Sequence, residues 1–144
     1  MNTGSKIGIW FSRFVLSGAG ILFTMISIRY LSNPVGATSP FKISLGTATA
    51  ITNVRIGFGA FPLAFAIVLF SCLLKTRRLL TGLYFLGVLI SVATIVRIIG
   101  VMVDGATTET LKVLRPEILL FCLTAISIVI EYRRRQLHNP DLQP

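Results

Sequence analysis

A chain of 144 residues that is 53% hydrophobic, 13% charged and +0.81 in mean hydropathy is too apolar for a soluble domain of this size. Its formal net charge of +9 would suit nucleic acid, but the basic residues flank apolar runs instead of gathering on one recognition element, as membrane topology requires. The composition argues against nucleic-acid binding and for one all-α membrane domain over 1–144, a four-transmembrane-helix bundle.

The first apolar run, about 7–31, has a basic start in Lys6 and Arg13. It can be read as a secretory signal, with a cleavage site at Val35-Gly36-Ala37, or as a retained span, which its length matches. Ser17, Gly20, Thr24 and Ser27 recur at helical spacing and make a seam of small side chains, with Arg13 one turn earlier. A disposable signal needs no such seam, whereas a packed helix does. The retained helix is therefore favoured. The connection 32–52 carries turn signals at Asn33-Pro34, Gly36 and Ser39-Pro40 and is expected to be an ordered surface loop.

The second span, 53–74, would extend about 33 Å as a helix, the thickness of the hydrocarbon layer. Arg55, Gly59, Pro62 and Ala66 share one predicted face, and Pro62 predicts a kink. A short basic turn follows, Lys75-Thr76-Arg77-Arg78. The third span, 80–104, has an all-apolar side in Val88, Val92, Ile95, Ile99 and Met102. Ala93, Thr94, Arg97, Gly100 and Asp104 lie on the other side, so one face is expected to meet lipid and one the bundle. After the polar connection 105–115, which has room for a short surface helix, the fourth span is predicted over 116–132. Pro116 stands in its first turn, and Glu117, Phe121, Thr124, Ile128 and Glu131 share a side. The basic segment 133–144 is expected to be a flexible tail. Cys72 and Cys122 fall near opposite faces of the membrane, too far apart for a disulfide, and make no metal-ligand spacing.

The basic turn, the tail and the N-terminus lie on one side of such a bundle. The positive-inside rule makes that side cytoplasmic and both termini with it, where the arginines would also touch anionic lipid. Arg55, Arg97 and Glu117, with Asn53 and Asp104 nearby, then fall in the outer half of the bundle. An intramembrane arginine is costly, about 2.5–3.5 kcal/mol on insertion scales, and a carboxylate accepting a guanidinium fork relieves that cost. Glu117 is therefore predicted to pair with Arg97, Arg55 or both. Such a pair pins helices in register. The outer half also holds Arg29, Lys42, Arg55, Arg97, Lys112 and Arg115 against Asp104, Glu109 and Glu117, an excess that suits a small anionic ligand or an anionic lipid head group.

The segments Asn53-x-Arg55-x-x-Phe58-Gly59 and Arg97-x-x-Gly100-x-x-x-Asp104-Gly105, followed by a glutamate opening the last span, resemble a family of small four-helix bacterial membrane proteins, domain of unknown function 4345. The likeness runs from about Asn53 to Tyr132. The family often has tyrosine and a second glycine where Phe58 and Ala60 stand, and a shorter connection before its last helix. The resemblance implies four helices in a bacterial cytoplasmic (inner) membrane and brings no activity.

The only histidine is His138, and the sequence carries no H-E-x-x-H or C-x-x-C motif and no phosphate-cradling glycine loop. No catalytic residue, metal ligand or cofactor is assigned, and the protein is not expected to be an enzyme. Two functions follow for the polar cluster of Asn53, Arg55, Arg97, Asp104 and Glu117. One is a non-catalytic accessory module that binds a lipid, a small ligand or a partner membrane protein. The other is a small transporter or channel, assembled as a dimer because four helices rarely enclose a pathway alone. Self-association has candidate small-residue motifs in Gly4-x-x-x-Gly8 and Gly87-x-x-x-Ser91.

Overall fold

The computed structural model describes residues 3–138, which are helical almost throughout, with no strand among them. Helix α1 runs Thr3–Ser32 and is followed by a short α2, Pro34–Thr38. Then α3, Ala48–Val54, continues through a π-helical turn, Arg55–Ala60, into α4, Phe61–Leu73. After a tight turn, α5 spans Leu79–Asp104 and α6 spans Thr108–His138. Four helical stretches are long and apolar enough to cross a membrane, the second of them formed by α3, the π turn and α4 together. They alternate in direction. Both ends of the described chain and the 74–78 turn lie at one end of the bundle, called the basic end below. The 33–47 and 105–107 connections lie at the other, the loop end.

Local chemistry explains the breaks. Asn33 caps α2 by accepting from the Gly36 N–H at 2.9 Å, and Thr47 caps α3 by accepting from the Ala50 N–H at 3.1 Å. Pro62 has no N–H to donate and crowds the carbonyl four residues earlier. The chain answers with a wide turn in which the Phe61 N–H reaches back to the Ile56 carbonyl. Within that turn Gly59 lies so close to Leu31 of α1 that a Cβ would stand 2.7 Å from its Cδ2. The neighbouring Phe58 stacks on Tyr30 with ring centroids 5.2 Å apart. Helix α5 ends at Gly105, whose φ of 91° favours glycine.

The core sits toward the basic end. Val15, Leu16 and Ala19 of α1 meet Leu69 of α4 and Leu79, Leu83 and Leu86 of α5, all buried. Gly82 lets α5 approach Cys72 and Leu16 closely. Helix α1 packs against α4, α5, α6 and the π turn, which is what its small-residue seam requires. Gly20 of that seam faces the Phe70 ring at 2.8 Å from a notional Cβ. The side of α5 read as lipid-facing is exposed along its length, from Val88 to Met102. Two of the glycines proposed for self-association are occupied inside the bundle: Gly8 lies against Ile130 and Gly87 against Ile128.

Three expectations are corrected. The connection 32–52 is not loop throughout, since it holds α2, and the second membrane-length helix begins at Ala48, capped by Thr47, not at Asn53. The last helix begins at Thr108, not Pro116. Thr107 accepts from the Thr110 N–H at 3.2 Å and Glu109 stands in the first turn, favourable to the helix dipole, so Pro116 lies inside a continuous helix. Beyond 132 the helix also continues to His138, where a flexible tail was expected. Positions 139–144 lie outside the described residues.

Candidate functional site

The short connection 105–107 folds α5 and α6 into an antiparallel hairpin, so residues nearly equidistant from it face each other. Arg97 and Glu117 are such a pair, each about 10–14 Å from the loop end at 1.5 Å per residue. The guanidinium grips the carboxylate as a fork: Nε donates to Oε2 at 2.5 Å and Nη2 to Oε1 at 2.7 Å. The pair is half-buried, with 32% of the Arg97 side chain and 16% of Glu117 accessible.

Cavities lie on both sides of it. Toward the middle of the bundle is an apolar cavity of about 420 Å³, walled by Leu22, Phe23 and Ile26 of α1, Phe65 of α4, Ile90 and Ala93 of α5, and Pro116 and Glu117 of α6. Its floor rests on an edge-to-face run of rings, Phe23–Phe65 at 6.0 Å and Phe65–Phe85 at 5.9 Å. Such pairs contribute about 0.5–1.5 kcal/mol each beyond area burial. Toward the loop end is a polar cavity of about 350 Å³ lined by Lys42, Arg97, Thr107, Glu109 and Thr110. Val113 borders both.

The other predicted members stand apart. Arg55 is exposed in the π turn and Asn53 is exposed on α3. Asp104 is exposed at the end of α5, its carboxylate lying back toward Gly100 of its own helix. Neither Arg55 nor Asp104 forms an ion pair among the described residues. Arg55 misses the pair because the π turn rotates everything before it relative to α4, so the uniform helical spacing used to group Arg55 with Ala66 fails there.

A second ionic cluster, not among the predicted pairs, stands at the basic end. Glu131 of α6 is 0% exposed and accepts from Arg134 Nε at 2.8 Å, Arg134 Nη2 at 2.6 Å and Arg135 Nε at 3.3 Å. Arg135 Nη2 also donates to the Arg77 carbonyl at 2.7 Å, tying the end of α6 to the 74–78 turn. One turn earlier, Ser127 Oγ donates to Ser12 Oγ at 3.1 Å, both fully buried. The signal was present: Glu131 shares the face of Glu117 and precedes arginines at i+3 and i+4.

Among the described residues no group of three or more His, Cys, Asp or Glu could hold a metal ion. Residues 11–129, most of the chain, match the family model described as Domain of unknown function (DUF4345). The chain belongs to the DUF4345 family. No curated protein and no solved structure matches it. What this DUF4345 protein presents is a four-helix membrane-type bundle with an ion pair open to two unlike cavities at one end.

Proposed function

We propose that this protein is a non-catalytic, multi-pass module of a bacterial cytoplasmic membrane, and that it holds a small ligand, a lipid or a partner's polar group at the Arg97–Glu117 pair. The observation that carries this reading is where the pair stands: half-buried, between a polar cavity and an apolar one. Glu131, by contrast, is fully enclosed and neutralised by arginines of its own helix. Ligand sites typically combine about 300–1,000 Å³ of mostly apolar lining with a few convergent polar groups. The basic end carries Lys6, Lys75, Arg77, Arg78 and Arg133 to Arg135, so the positive-inside rule turns it, with both termini, toward the cytoplasm and its anionic lipid. The test is purification in mild detergent followed by native mass spectrometry. A retained small molecule, lipid or partner protein is expected; repeated isolation of the bare chain counts against the reading.

A second reading, a small transporter acting as a dimer, is favoured by one observation. Buried polar groups continue from the pair toward the basic end: the Thr94 Oγ1, which has no partner among the described residues, then Thr124, the Ser12–Ser127 bond and Glu131. Anion or proton-coupled flux into liposomes, lost in Arg97→Ala, would promote it over the first. No flux with intact folding removes it.

A further inference from the structure

We infer that the ligand is an alkyl-chain amphiphile with an anionic head, a carboxylate or a phosphate, taken from the bilayer. The inference rests on the reading of the Arg97–Glu117 pair as a binding site and names the ligand class of that site.

Charge selects the head. Each acid lining the cavities already has its cation: Glu117 has Arg97, and Glu109 has Lys112 at 2.8 Å. Lys42, on the polar cavity, has no ion-pair partner among the described residues. Arg97 gives Nε and Nη2 to Glu117, and both N–H groups of Nη1 lack an acceptor among the described residues. The polar cavity therefore offers one uncompensated positive charge and unused guanidinium donors, which complement an anion and repel a cation. Lys42 is also the one described non-glycine residue with positive φ, at 57°. The turn that holds it is closed by its own N–H on the Ser39 carbonyl at 3.0 Å.

The neighbouring cavity selects the tail. Apart from Lys112 and Glu117 its walls are apolar, and it adjoins the polar cavity at Val113, so the inferred ligand places its head in one and its tail in the other by passing that side chain. An alkyl chain passing from lipid into this cavity leaves hydrocarbon for hydrocarbon, so packing against Phe23, Phe65 and Ala93 supplies position and little driving force. The affinity comes from the head.

The experiment uses the full chain in maltoside micelles, with bound molecules counted by native mass spectrometry. The probes are palmitate, hexadecyl phosphate, hexadecyltrimethylammonium and inorganic phosphate. Wild type is expected to retain palmitate and hexadecyl phosphate and to retain neither the ammonium amphiphile nor inorganic phosphate. Lys42→Gln, in an exposed turn, and Ala93→Phe, which fills the apolar cavity, should each weaken palmitate binding at least about tenfold, or about 1.4 kcal/mol. Circular dichroism checks that both variants fold; if Ala93→Phe does not, Ala93→Leu replaces it. Inorganic phosphate binding as tightly as palmitate overturns the amphiphile, and ammonium amphiphile binding overturns the anionic head. An effect of only one variant overturns the placement across both cavities. If no amphiphile binds, the protein isolated from its own membrane separates two failures. A different molecule displaced by Lys42→Gln leaves the binding site standing with the wrong class, and a bare chain removes both.

Discussion

Glu117 and Glu131 lie on the same face of α6 and both accept a guanidinium fork, yet their surroundings are opposite. At the basic end Glu131 is fully enclosed, held by arginines of its own helix and next to a tightly packed leucine core. At the loop end Glu117 is gripped from the neighbouring helix and borders the apolar cavity, while its partner Arg97 borders the polar one. The comparison teaches what separates an anchoring charge from an available one. Neither bond geometry nor spare guanidinium donors distinguish them, since both arginines give Nε and Nη2; the enclosure of Glu131 and the cavities bordering Arg97 and Glu117 do.

Substitutions can break or sharpen that contrast. Glu131→Ala leaves Arg134 without its carboxylate and should cost about 3–5 kcal/mol, the range for breaking a buried pair. Thermal unfolding in detergent would read this as the largest loss of any single change considered. Glu117→Ala should cost less, about 1.5–3 kcal/mol as for hydrogen bonds to charged groups, because Arg97 keeps access to the polar cavity. The exchange Arg97→Glu with Glu117→Arg should recover part of that loss while abolishing retention of anionic amphiphile. Ser127→Ala should cost about 1 kcal/mol, and adding Ser12→Ala should cost little more, since removing both partners leaves no orphaned hydroxyl. Asp104→Asn, exposed and without an ion pair, should stay within about 0.5 kcal/mol of wild type. A loss at Asp104 comparable to that at Glu117 would mean the loop-end cluster is wider than the pair.

Much of the bundle was legible in the chain. Four apolar runs of membrane length, the lipid-facing side of α5 and the meeting of Arg97 with Glu117 follow from hydropathy, a 3.6-residue period and the cost of a lone arginine in lipid. The rest was hidden for identifiable reasons. The rule that favours proline in a first turn outweighed the Thr107 cap and Glu109, and so moved the start of α6 to Pro116. The π turn before Pro62 changes the phase of its helix, and no count of residues at uniform spacing shows which side Arg55 then takes. The run Arg133-Arg134-Arg135 reads as a topology signal, which hides that two of its arginines neutralise Glu131. The cavities are properties of packing and have no local sequence signature.

The most direct measurement is a palmitate titration followed through the arginine side-chain Nε–H resonances by NMR, on uniformly labelled protein in maltoside micelles. Arg97 is expected to shift progressively with added palmitate while Arg134 stays where it was. Movement of Arg134 with Arg97, or of neither, would contradict a loop-end pair open to ligand beside a basic-end pair that is closed.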